Sequence, residues 1–137
     1  DLSGYTDTEI IDTIGYGLFP NTTFFAGFSV PMVYRFRPLG NSHEKSLFEI
    51  LFLRPVPDDG TPPPPPPEPV RIGVDNSYTA LPGMDRFLAQ VFDQDTANLR
   101  AQQEGIKASR KPGATLTRYQ ELRIRHMHRT WEKYCHG

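Results

Sequence analysis

One carboxylate in this sequence stands where a carboxylate is costly. Met84, Leu88, Val91, Asp95, Leu99, Gln102 and Ile106 recur at steps of three or four residues, the spacing of one face of an α-helix. Phe87 and Phe92 widen the stripe, and Asp95 falls in its middle. A carboxylate ionised and unpaired among apolar side chains costs several kcal/mol. Asp95 therefore calls for a cation, a metal ion or a set of hydrogen-bond donors. Pairing with an arginine, or capping a kink in the helix, would satisfy it as well as metal ligation would. Asp93, two residues earlier, falls off the apolar face.

The other side chains able to ligate or attack are dispersed. His126 and His128 lie two apart on a helical segment and so point in different directions, whereas helical metal-binding pairs are three or four apart. They read as surface or packing histidines. His43 lies in a turn, and Cys135-His136 at a helix end matches no metal site. Cys135 reads as a cap on the core or a free thiol. A single cysteine provides neither an internal disulfide nor a four-cysteine metal site.

The elements that must position these residues fall on either side of a proline-rich stretch. Residues 5–13 read as a short helix capped by Thr6 or Asp7. Phe19-Pro20-Asn21 breaks the chain, and 22–30, rich in Thr, Phe and Val, reads as a strand bounded by Pro31. Met32, Tyr34 and Phe36 alternate with Val33, Arg35 and Arg37, a period of two with one apolar and one partly basic face. A turn at 39–44 leads to a second strand over 45–54, which predicts an antiparallel hairpin. Residues 58–83 form a proline-rich loop in which Pro62–Pro67 must be extended polyproline II. It reads as a surface excursion, an SH3-type ligand being the sharper alternative. Long helices are predicted over 84–109 and, with Thr115 or Thr117 as cap, over 116–135, where Leu116, Ile124, Met127, Trp131 and Tyr134 make a stripe.

Composition narrows the class. The chain has 137 residues with Lys+Arg 15 against Asp+Glu 16, one domain's worth with almost no net charge, which argues against a nucleic-acid binder. Residues 1–99 are net acidic and 100–137 net basic. That basic third reads as a solvated helix face docking on the acidic remainder. No apolar run reaches the about 18 residues of a membrane helix. The chain starts at Asp1 without a signal-peptide pattern, so it is expected to begin within a protein or after processing.

Three segments in order carry a resemblance. They are Tyr16-Gly17-Leu18-Phe19-Pro20-Asn21 before a strand, Gln90-Val91-Phe92-Asp93-Gln94-Asp95 running into Gln102-Gln103-Glu104-Gly105-Ile106, and Tyr119-Gln120-Glu121 followed by Ile124-Arg125-His126. Together they resemble the C-terminal part of the catalytic domain of Rieske non-haem iron aromatic-ring-hydroxylating oxygenase α subunits. The resemblance spans nearly the whole chain, 1–137, read as a single C-terminal segment of that domain. It implies an α+β fold: a helix-grip (START-like) half-domain with an antiparallel sheet packed on long C-terminal helices.

The same resemblance implies a mononuclear Fe(II) in a 2-His-1-carboxylate set, whose carboxylate, eight residues before Gln103, would be Asp95, with Asp93 the alternative. Two neutral imidazoles and one carboxylate on one face of Fe(II) leave positions open for O₂. No histidine pair here matches the family's other two ligands. The [2Fe-2S] Rieske cluster, which needs Cys-x-His and Cys-x-x-His, is expected only in a missing N-terminal part. The chain alone is then an inactive fragment. Phe25, Phe87, Leu88 and Val91 are the implied substrate-binding side chains, Val91 foremost as it stands one turn before Asp95; core packing is the other reading of all four, and for Phe25 and Phe87 the two weigh evenly. The implied partners are an aromatic small molecule, an NAD(P)H-dependent reductase or a ferredoxin, and further copies in a homo-oligomer, with a cytoplasmic location and neither nucleic acid nor membrane. The competing reading is a non-catalytic helix-grip module that binds a hydrophobic ligand.

Overall fold

The computed structural model describes residues 3–27 and 30–137. Its elements run α1 (Asp7–Ile11), β1 (Ile14–Leu18), β2 (Thr22–Ala26), β3 (Met32–Leu39), β4 (Ser42–Phe52), a 3-10 turn (Tyr78–Ala80), α2 (Arg86–Ala108) and α3 (Leu122–His136). The four strands form one antiparallel sheet in the order β1-β2-β3-β4. The class is α+β, as the sequence pattern predicts. The chain divides into two compact units, 1–64 with 119–137 and 65–118.

The first unit holds the sheet, α1 and α3. Thr6 caps α1 reciprocally: its hydroxyl accepts from the Glu9 N–H, while the Glu9 carboxylate accepts from the Thr6 N–H at 2.8 Å. The hairpin of β3 and β4 pairs Tyr34 with Ile50, Arg35 with Glu49 and Phe36 with Phe48, and Gly40 takes the left-handed φ of 65° that its tight turn requires. The period-two pattern does sort the side chains by face. On one face Phe36 stacks on Phe48 with ring centroids 4.8 Å apart, Phe48 meets Tyr34 at 5.0 Å, and Tyr34 meets Phe25 at 4.7 Å. Direct and diagonal cross-strand neighbours make such ladders. On the other face Glu49 accepts from Arg35 Nε at 2.6 Å, and from Arg37 Nε at 2.9 Å and Nη2 at 2.6 Å. Met32 and Val33 are the buried residues of the sheet.

Several boundaries differ from expectation. β1 is an extra strand: Gly15 and Gly17 weaken its signal, yet its backbone pairs with β2 from Ile14↔Ala26 to Leu18↔Thr22. Phe19-Pro20-Asn21 therefore joins two strands, and the side-chain amide of Asn21 donates to the Phe36 carbonyl at 2.6 Å. β2 ends at Ala26, and the Phe28-Ser29 end of the expected strand lies outside the described residues. β4 starts three residues early, at Ser42, because the turn is tighter than 39–44. α3 starts at Leu122, after a turn in which the Leu122 N–H donates to the Tyr119 carbonyl. β-branched Thr115 and Thr117 around a single leucine hold a helix poorly. The aromatic end of the α3 stripe packs as expected, with Trp131 and Tyr134 on Phe19 at 5.1 and 5.0 Å. Among the described residues, Arg123, Arg125, Arg129 and Lys133 of α3 make no ion pair, whereas Arg100, at the start of the basic third, lies 3.8 Å from the Asp75 carboxylate.

The proline-rich stretch has no helix or strand between Phe52 and Tyr78, and Pro62–Pro67 are all exposed. No helix is long and apolar enough to cross a membrane among the described residues.

Glu49 generates a prediction. Hydrogen bonds from Arg37 and then Arg35 hold its carboxyl at about 2, well below the ordinary 4.5. A depressed carboxylate stabilises the fold fully above its unfolded value and loses that contribution as pH falls through the folded value. Glu49→Gln is expected to cost about 1 kcal/mol or less at pH 7, because both guanidiniums are half in water. Urea melts should show that difference shrinking between pH 4.5 and 2.

Candidate functional site

The residues that could do chemistry lie mainly on α2, so what holds α2 holds the site. Asp85 caps it, its carboxylate accepting from the Leu88 N–H at 2.9 Å, an interaction worth about 1 kcal/mol. The helix stops at Ser109, three residues before Pro112, where an interior turn could not continue.

The buried side of α2 is not the predicted stripe. Ala89 and Phe92 are its fully buried residues. Leu88, Val91, Asp93, Thr96 and Gln103 are half-buried. Phe87, Leu99 and Ile106 are exposed by 75%, 54% and 65%. The buried arc runs through Ala89, Phe92 and Thr96, rotated from the line Leu88–Asp95–Leu99. The reason is the segment that packs there. Tyr78 lays its ring against Phe92 at a centroid distance of 5.4 Å. Thr96 donates to the Phe92 carbonyl at 2.7 Å. Burial pushes the Tyr78 phenol above its ordinary value and the nearby Asp93 charge adds to this.

The two aspartates consequently differ. Asp93, the alternative ligand, is engaged: one oxygen accepts from the Ser77 hydroxyl at 2.5 Å and the other from the Tyr78 N–H at 2.8 Å. Ser77 also accepts from the Thr79 N–H and so caps the 3-10 turn. Asp95 is exposed, and among the described residues it makes no hydrogen bond or ion pair. This corrects the expectation that Asp95 is enclosed in an apolar stripe: it stands about 100° round the helix from Thr96, off the side that Ala89, Phe92 and Thr96 bury. A free, solvated carboxylate is a competent metal donor, whereas the Asp93 carboxylate is committed to internal bonds.

The other predicted residues are found as follows. Val91 stands one helical turn before Asp95, with Leu88 one turn further back, both half-buried, while Phe87 projects into solvent. Phe25 is half-buried in β2, in the other unit, as part of the aromatic ladder. His43 is exposed beside Glu44, and His126, His128, His136 and Cys135 are exposed on α3. Among the described residues no three His, Cys, Asp or Glu side chains gather closely enough to hold a metal ion. The donor chemistry fits one position of such a site, a carboxylate at Asp95.

The Ser77–Tyr78–Asp93 set was missed in the sequence reading. Its only local signal is Ser77 followed by Thr79, a cap pattern, and the partner lies 15 and 16 residues away on the helix.

Comparison with known proteins supplies the remaining observation. The family described as ring hydroxylating alpha subunit (catalytic domain) matches residues 1–137. Comparison with curated proteins and with solved structures gives no match.

The packing of α2 is testable at Phe92, which is 1% exposed. Phe92→Ala should cost about 3–5 kcal/mol and release the 3-10 turn from α2. Denaturant melts, with Tyr78 followed by aromatic NMR signals, would measure both effects.

Proposed function

The chain belongs to the catalytic-domain family of ring-hydroxylating α subunits, and on that footing we propose that it serves an oxygenase that hydroxylates an aromatic or similarly apolar substrate with O₂ at a mononuclear Fe(II). The observation that carries this is the match over the whole chain, joined to a free carboxylate at the position where such an enzyme would want a ligand. Asp95 would hold the iron, and the iron would supply the redox chemistry of oxygen activation. The two imidazoles, the Rieske cluster and its cysteine and histidine ligands would come from residues outside this chain. A reductase dependent on NAD(P)H, or a ferredoxin, would bring the electrons.

The chain's own contributions follow from charge and shape. Asp95 offers one negative donor, which beside two neutral imidazoles offsets part of the metal's charge. Its carboxylate is exposed and makes no internal bond among the described residues, so none has to be broken before it ligates. Leu88 and Val91, on the turns before it, offer apolar surface for a substrate ring. Apolar walls beside a charged donor hold the substrate by area and keep water from the reacting carbon. We place this segment in a helix-grip domain.

The test is Asp95→Ala in the intact α subunit. The variant should lose mononuclear iron and hydroxylation together while the visible spectrum of the Rieske cluster stays unchanged, because removal of a ligand acts locally. Iron content and turnover equal to the parent's would sink the assignment.

A further inference from the structure

Two carboxylates stand two residues apart on α2, and the structure gives them opposite fates. Successive helical residues are about 100° apart, so Asp93 and Asp95 project to opposite sides of the helix. Asp93 spends both oxygens on the segment before the helix, one on the Ser77 hydroxyl and one on the Tyr78 N–H. Beside it, Phe92 takes the Tyr78 ring. Two residues of the turn that carries Asp95 are thus held by the preceding segment, while Asp95 is left free and exposed.

We propose that Asp93 is a positioning residue for Asp95: by latching Ser77 and Tyr78 onto α2 it fixes the Phe92–Thr96 turn in the orientation from which Asp95 meets the iron. This rests on the reading of Asp95 as the carboxylate ligand. An exposed donor has no packing of its own to hold it, so its aim is set by the backbone beneath it. Ligand geometry is demanding, and groups that orient a metal ligand without touching the metal commonly matter 10–100-fold in affinity, by order of magnitude. The bonds of Asp93 are of the right kind. A carboxylate accepting from one hydroxyl and one amide prevents the segment from sliding along the helix, where apolar contact alone between Tyr78 and Phe92 would not.

Asparagine separates this role from ligation. In Asp93→Asn the side-chain oxygen still accepts from the Tyr78 N–H, and the new amide can donate to Ser77 Oγ, which keeps acceptor lone pairs. The latch survives, but an anionic ligand would not. The experiment uses the intact α subunit. Amide hydrogen exchange is measured on the iron-free protein, and Fe(II) affinity by anaerobic titration against a competing chelator. Asp93→Ala should speed exchange at the Tyr78 amide and weaken Fe(II) binding about tenfold, while Asp93→Asn stays near the parent on both. Ser77→Ala, which removes one of the two bonds, should move both readouts the same way by less, and stands in if Asp93→Ala does not fold.

Faster exchange with unchanged Fe(II) affinity would reduce the latch to plain stability and overturn the proposal. Iron loss in both Asp93→Ala and Asp93→Asn would overturn it differently, by making Asp93 a ligand itself. No change in either readout would mean there is no latch. Failure of the underlying reading shows separately: Asp95→Ala would keep its iron, whatever the exchange rates of the Asp93 variants.

Discussion

The contact between Phe92 and Tyr78 is the constraint on which the α2 unit depends. Phe92 is the largest fully buried side chain among the described residues, and what encloses it includes an aromatic ring from the chain before the helix. That choice of partner sets the rotation of α2 about its own axis. Once Phe92 faces Tyr78, Ala89 and Thr96 line the same side and Phe87 faces away, while Leu99 and Ile106, about two and four turns further along nearly the same side, are exposed. The polar bonds of Asp93 and Thr96 then find their partners within the frame the apolar contact has set. A hydrogen bond adds only about 1 kcal/mol net to such a frame, but leaving its buried donors unmet would cost more than that.

In the sheet the equivalent constraint is register. Because side chains alternate strictly along a strand, the pairing of Phe36 with Phe48 obliges Arg35 and Arg37 to share the opposite face with Glu49. A slip of one residue would put two guanidiniums among aromatic rings. The aromatic ladder and the Arg–Glu–Arg bridge are therefore two consequences of one alignment. They penalise the same error from opposite sides of the sheet.

The parts of the fold legible in the sequence are those written in local pattern. The alternation over 32–37 predicted a two-faced strand, and Thr6 marked a helix start by chemistry that acts within a turn. β1 was illegible because two of its five residues are glycines and its strand character comes wholly from pairing with β2. The candidate site was half legible. A period of three and four located an apolar stripe, but periodicity identifies a face without saying what covers it. The true buried arc includes Ala89, whose small side chain gives little signal, and is chosen by Tyr78, which no spacing rule connects to Phe92. The importance of Asp93 was hidden for the same reason, since its two partners come from a different segment.

Asp93 and Asp95 show how a helix can give two copies of one residue different chemistry. Both are short carboxylates on the same two turns, and their types alone do not distinguish them. The helical step does: it sends one toward the packed segment, where a serine hydroxyl and a backbone N–H satisfy it, and the other toward solvent, where it keeps its lone pairs. A carboxylate held by internal donors has its orientation fixed by them, so a metal could reach it only along the lone pairs they leave open. A carboxylate held only by water gives up bonds that water readily replaces elsewhere. The division between a side chain that holds the helix and one that is free to bind thus follows from rotation about the helix axis, and that rotation is set by where Phe92 finds its partner.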